Sequence, residues 1–202
     1  MSIKTFLAAA CAVTLISAAP VMASQLSHYT AYLDGSQQVP ANESKATGKA
    51  KLTVNSHDQT LSFRLSVMGI HTSDLYDTLV SSLLGPLHLH EAAVGLNGAI
   101  SIPFAFNTTD YVDTEKGFEL RVKNYAYSDA LSLLGSTQSF TDFVAGLNEG
   151  GVYVNVHTDA YTGGEIRGQL APVPLPASAL LLVGAMGGLV AFRRKRRAAL
   201  AV

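Results

Sequence analysis

The chain has 202 residues, 48% of them hydrophobic, and a single cysteine, Cys11, inside an N-terminal apolar run; this length suits one domain with its own core, and its body has neither disulfides nor thiolate chemistry. The formal charge of −1 hides an imbalance, because between Ser24 and Ala171 eight basic residues face all fifteen acidic ones, leaving −7. A module that acidic is repelled by a phosphate backbone, which excludes nucleic acid as its partner.

Met1 to Ala23 carries Lys4, an apolar core from Phe6 to Ala19 and the small-residue site Val21-Met22-Ala23, the pattern of a secretory signal peptide cut after Ala23. Lipidation at Cys11 is the competing reading, and Ala8-Ala9-Ala10 leaves little apolar run before it. A strand is expected from His28 to Leu33, ending at the turn pair Asp34-Gly35. A hairpin follows: Gly48 to Val54, a polar turn through Asn55-Ser56-His57-Asp58, and Leu61 to Val67 with four alternating apolar residues. From Thr72 the period changes, and Leu75, Leu79 and Leu83 predict a helix closing at Gly85-Pro86.

The next strand, Leu87 to Ala92, puts Leu87 and Leu89 on one side and His88 and His90 on the other. Another runs from Ala99 to Phe104, a polar loop spans Asn107 to Lys116, and alternation returns from Gly117 to Lys123. Helical patches are expected over Ser128 to Leu134 and Thr141 to Leu147. The last pair of strands is a hairpin. Val152, Val154 and Val156 alternate with Tyr153, Asn155 and His157, while Ile166, Gly168 and Leu170 alternate with Glu165, Arg167 and Gln169.

Antiparallel partners share a face, so the valines must oppose the Ile166/Gly168/Leu170 row. The simplest register sets Val156 opposite Ile166, His157 opposite Glu165, Asn155 opposite Arg167 and Tyr153 opposite Gln169. One face is then core. The other, carrying imidazole and guanidinium, is expected to point outward into solvent, with Arg167 in a salt bridge of the same sheet.

Tyr153-Val154-Asn155-Val156-His157-Thr158 followed by Gly163-Gly164-Glu165-Ile166-Arg167-Gly168-Gln169-Leu170 resembles the closing motif of CHRD domains, found repeated in chordin and singly in bacterial secreted proteins. The stretch Tyr29 to Pro40 and Ala46-Thr47-Gly48-Lys49-Ala50 resembles that family's opening strands. The likeness covers about Ser27 to Leu170 and departs from the family pattern at Thr72 to Leu84 and Asn107 to Ser139. Strand spacing and resemblance imply one fold class: all-β with short helical insertions, an antiparallel Greek-key sandwich or barrel, immunoglobulin-like or superoxide-dismutase-like. The domains are then a signal peptide over 1–23, a CHRD domain over 24–171 and a sorting signal over 172–202.

That sorting signal reads Val173-Pro174-Leu175-Pro176-Ala177, an apolar run from Ala177 to Phe192 and Arg193-Arg194-Lys195-Arg196-Arg197, and it resembles the VPLPA form of PEP-CTERM signals cut by exosortases. Sixteen residues reach about 24 Å as a helix, slightly short of a bilayer core, and the basic cluster marks the cytoplasmic side. Implied partners are signal peptidase, an exosortase-type processing enzyme and the inner membrane, which the segment enters transiently or as an anchor. Extracellular polysaccharide or surface proteins are candidates beyond it.

One constellation carries chemistry. His88 and His90 share a strand face, and His157 would complete a three-nitrogen set for copper or zinc if its strand neighbours theirs, an adjacency the sequence does not show, with Glu91, Glu165 and Asp159 as oxygen donors or orienting groups. The remaining His28, His57 and His71 fall in an edge strand, a turn and a loop. There is no nucleophile elbow, paired acid/base carboxylates or phosphate loop, so no catalytic residue is assigned. The sequence thus supports a secreted, envelope-sorted, non-enzymatic module acting as a structural or interaction domain, with a copper- or zinc-binding, redox-active protein as the alternative.

Overall fold

A computed structural model of the chain describes residues 26–174 with the exception of Thr108. The expected signal peptide, Leu175 to Ala177 of the sorting motif, the apolar run to Phe192 and the basic tail lie outside the described residues. Among the described residues no helix is long and apolar enough to cross a membrane.

The strands are β1 (Leu26–Asp34), β2 (Thr47–Asn55), β3 (Thr60–Met68), β4 (Leu87–Glu91), β5 (Ala99–Phe104), β6 (Tyr111–Thr114), β7 (Gly117–Ala126), β8 (Val152–Val156), β9 (Ile166–Gln169) and β10 (Ala171–Pro172). They form one antiparallel sheet in the order β5-β4-β8-β9-β1-β2-β3-β7-β6, with β10 beside β1. This bears out an all-β class with short helices, the sheet curling into a half-barrel. Burial of one apolar row per strand drives the curl. Ala50, Leu52 and Val54 of β2, Leu61, Phe63 and Leu65 of β3 and Leu87 and Leu89 of β4 all enter a single core. Phe63 on β3 stacks on Phe104 of β5 with centroids 4.7 Å apart. The Tyr111 hydroxyl on β6 donates to the Phe104 carbonyl at 2.8 Å, bringing the two ends of the strand order together.

Two helices between β7 and β8, α2 (Tyr127–Leu134) and α3 (Phe140–Asn148), lay Tyr127, Phe143 and Leu147 into the same core. Ser139 caps the second by accepting from the Asp142 amide, as expected of serine at a helix start. The helix expected over Thr72 to Leu84 shrinks to a 3-10 turn, Thr72–Asp74, and a single turn, α1 (Asp77–Val80). Between them Leu75 is extended and bridges Thr158, while Thr72 bonds to Asp113 through both its amide and its hydroxyl. These tertiary bonds break the helical run. The polar loop expected over Asn107 to Lys116 contains β6, whose burial of Tyr111 alone leaves no alternation to read.

β1 is not an edge strand: its end pairs with β9 and its start lies between β2 and the short β10, where His28 is exposed. In the closing hairpin Tyr153 pairs with Gln169, Val154 with Gly168, Asn155 with Arg167 and Val156 with Ile166, the simplest register that parity allowed.

Candidate metal centre

β4 sits between β5 and β8, an adjacency that no local pattern could supply. It sets His88 opposite Asn155 and His90 opposite Tyr153, so all four side chains share one face. His157 follows the end of β8, and its amide donates to the Pro86 carbonyl at 2.9 Å, just before β4 begins. One donor atom from each of His88, His90 and His157 lies within 4.8 Å of the others. The three histidines singled out by spacing therefore meet.

The face they occupy is not solvated, which corrects the expectation of an outward polar row. His88 is 2% exposed, Asn155 4%, His157 8%, Glu165 9% and Arg167 2%. Val154 on the opposite face is fully buried as well. Two connections cover the row. From the segment after β1, Gln38 Nε2 donates to Asn155 Oδ1 at 2.7 Å and Asn42 Nδ2 to the Glu165 carbonyl at 3.0 Å. From the β4–β5 loop, Leu96 and Asn97 accept from Arg167 at 2.8 and 3.1 Å. The cover fits so closely that a Cβ on Gly164, whose φ is +124°, would come within 2.4 Å of Asn155 Oδ1.

An account of the ring nitrogens shows what the cluster lacks. His90 Nδ1 lies 3.0 Å from the Gly98 carbonyl and His157 Nδ1 lies 2.8 Å from the Thr162 carbonyl. A carbonyl only accepts, so both imidazoles carry their proton on Nδ1 and present a bare Nε2 lone pair. His90 Nε2 is buried with no partner. His157 Nε2 receives Asn155 Nδ2 at 3.2 Å and faces His88 Nδ1 at 3.3 Å. His88 Nε2 is also buried without a hydrogen bond.

Neither tautomer gives both ring nitrogens of His88 a well-aligned hydrogen bond, although the Gly85 backbone lies close enough to favour the protonated ring. A proton on Nε2 is an orphaned donor and sets two lone pairs face to face; a proton on Nδ1 leaves Nε2 an orphaned acceptor. Such groups typically cost about 1–3 kcal/mol each, which makes their accumulation here a feature to be explained. A cation held by His88 Nδ1, His157 Nε2 and His90 Nε2 relieves the facing lone pairs and occupies the bare His90 nitrogen, leaving the His88 proton on Nε2; 3.3 Å is about the separation of two nitrogens held tetrahedrally at roughly 2.0 Å from one ion. The rings are also neutral and ready to ligate. Burial, reinforced by His157 and His90 and only partly opposed by the Gly85 backbone, lowers His88 to about 3. Burial likewise lowers His90 to about 4, and it holds His157 below its ordinary value.

None of the three candidate carboxylates joins the cluster. Glu165 accepts from the Ser44 and Thr158 hydroxyls, both at 2.6 Å, rather than pairing with His157. Glu91 accepts from Gln138 at 2.6 Å, and Asp159 from the Asp77 amide at 3.2 Å. Backbone carbonyls, not carboxylates, orient the imidazoles. His28 bonds to Thr53, His57 sits beside Asp58 in its turn and His71 beside Asp113, so none of them joins the cluster.

Arg167 forms no salt bridge among the described residues, another departure from expectation. Its guanidinium carbon stands 3.5 Å over the Tyr153 ring, and Tyr153 stacks on His90 at 5.0 Å with the planes 8° apart. Because β8 lies between β4 and β9, cation, phenol and imidazole form a stack across three strands. Tyr153, Gln38 and Asn97 were not singled out from sequence. The one signal in the sequence was that the hairpin sets Asn155, not an acid, opposite Arg167.

Fold and site together define an all-β antiparallel half-barrel with a loop-covered histidine cluster on the convex face of one limb. The family model for the CHRD domain matches residues 29–170, and the chain belongs to that family. No curated protein and no solved structure matches it.

Proposed function

We propose that this CHRD module is exported, acts without catalysing a reaction at the cell envelope, surface or matrix, and holds one copper or zinc ion through His88, His90 and His157. The observation that carries the metal reading is the meeting of two buried imidazoles and a half-buried one, in which His88 Nδ1 faces His157 Nε2 at 3.3 Å and His90 Nε2 has no partner. Family membership is consistent with a structural or interaction module. A bound ion adds rigidity by tying β4 to the end of β8, since binding to the folded state alone raises stability. The test is direct. The full chain, purified in detergent and stripped of metal, binds one copper or zinc per chain; the His88→Ala/His90→Ala variant binds none and its melting no longer responds to metal. No stoichiometric metal in the unaltered chain refutes the reading.

Export and sorting rest on the sequence alone: the Met1–Ala23 leader, the Val173 to Ala177 motif and the apolar and basic tail. Signal peptidase and an exosortase-type enzyme then act in turn, leaving a mature form that lacks Ala177 to Val202. Mass spectrometry of fractionated cells reads this out, and a mature protein that keeps Arg193 to Arg197 in the inner membrane contradicts it.

A further inference from the structure

We infer that the ion is monovalent: the site is built for cuprous copper, with silver(I) as its chemical analogue, and against zinc(II) or copper(II). This rests on the metal reading of the same three histidines. The first ground is charge. All three donors are neutral imidazoles, and the carboxylates of the surrounding elements are engaged elsewhere: Glu91 with Gln138, Glu165 with Ser44 and Thr158, Asp159 with the Asp77 amide, and Asp34 with Ser36 and Gln37. Asp34 is the partner of Arg167 across β1, yet its carboxylate turns to its own 3-10 turn. The one formal charge stacked against the cluster is positive, the Arg167 guanidinium over Tyr153, itself stacked on His90.

Desolvation cost rises with the square of charge, so a dication suffers about four times the Born penalty of a monocation in the same place, with no carboxylate among the donors to offset it. The Arg167 cation adds repulsion that also scales with the charge of the ion.

The second ground is coordination number. A zinc site completes a tetrahedron with a fourth ligand, commonly a water in an open position. Here His88 Nε2 and His90 Nε2 are sealed from solvent, and the β4–β5 loop and the Gln38 segment close over the neighbouring Asn155 and Arg167. The Asn155 amide beside the cluster turns its nitrogen rather than its oxygen toward His157, because Oδ1 is taken by Gln38. A closed-shell monovalent ion is content with three neutral nitrogens.

The experiment uses the full chain in a Cys11→Ser background, so that no thiol competes for copper. Copper(I) is added anaerobically against a colorimetric copper(I) chelator, silver(I) by calorimetry and zinc(II) against a colorimetric zinc chelator. The expected result is one copper(I) or silver(I) per chain, held at least 100-fold tighter than zinc(II). Zinc(II) binding as tightly as copper(I) overturns the inference and leaves the metal reading standing; binding of no ion overturns both. Asn155→Asp keeps an acceptor for Gln38 while placing a carboxylate beside His157, and it narrows the copper(I)-to-zinc(II) ratio by tenfold or more. An unchanged ratio in a variant that melts as the parent does overturns the inference.

Discussion

The convex face of this sheet behaves differently at its two ends. On β2, β3 and β7, register aligns Lys51, Arg64 and Arg121 side by side in water, with Glu119 bonded to both arginines. On β4, β8 and β9 the same face carries His88, His90, Asn155, His157 and Arg167, nearly all of it buried. Like charges abreast are tolerated at the first end because water screens them, with Arg121 holding Glu119 below the usual carboxylate range. At the second end every polar group must find a fixed partner, and two ring nitrogens do not. A strand's period tells which residues share a face. Whether that face is wet depends on whether a distant loop folds over it.

The largest contrast comes from metal. Saturating the covered end at a thousandfold excess over its dissociation constant stabilises the chain by about 4 kcal/mol. Calorimetric melting measures this gain, and it vanishes in the His88→Ala/His90→Ala variant while Arg64→Ala keeps it.

Acid should separate the ends next. In the metal-free chain His88 and His90 titrate near 3 and 4 when folded, against 6.5 when unfolded, so between these values the unfolded state binds more protons. Their contribution is therefore complete above about pH 6.5 and is lost as pH falls toward 3, a change on the order of a few kcal/mol. Urea midpoints taken at pH 7, 5.5 and 4.5 should fall steadily; a flat profile would show that the rings are not buried neutral.

Removing the guanidinium from the stack, Arg167→Ala, leaves the Leu96 carbonyl and Asn97 without their donor and opens a cavity, for a loss of about 3 kcal/mol. Equilibrium unfolding of the metal-free variant reads it directly. Asn42→Ala cuts the tie between the covering segment and the Gly164 and Glu165 carbonyls, with an expected cost of about 1–2 kcal/mol. The smallest effect belongs to the wet end. Arg64→Ala changes stability by less than about 0.5 kcal/mol, because its ion pair with Glu119 is solvent-exposed. A loss comparable to that of Arg167→Ala would erase the distinction between the two ends.

Much of the fold was legible because its signals are local. Alternation located β2, β3 and β8, and parity with the simplest register gave the pairing of Val156 with Ile166 and Asn155 with Arg167. Alternation failed where only one residue of a strand is buried, as in β6, and helical period failed where Thr72 and Leu75 bond to distant strands. Of the candidate site, the ligand set His88, His90 and His157 was readable from residue type and spacing. Its surroundings were not: the carboxylates picked as orienting groups bond elsewhere, and the groups that hold the rings are the Gly98 and Thr162 carbonyls, which every residue possesses and no sequence distinguishes.

By itself the sequence determined that valines and leucines line one side of each strand and that imidazoles line the other, since a strand's geometry repeats every two residues. Tertiary structure alone decided that β4 lies beside β8 and that Gln38 and Asn97 roof the polar row. Those contacts join residues scores of positions apart in the chain, and no short-range pattern encodes the burial that turns three histidines into one site.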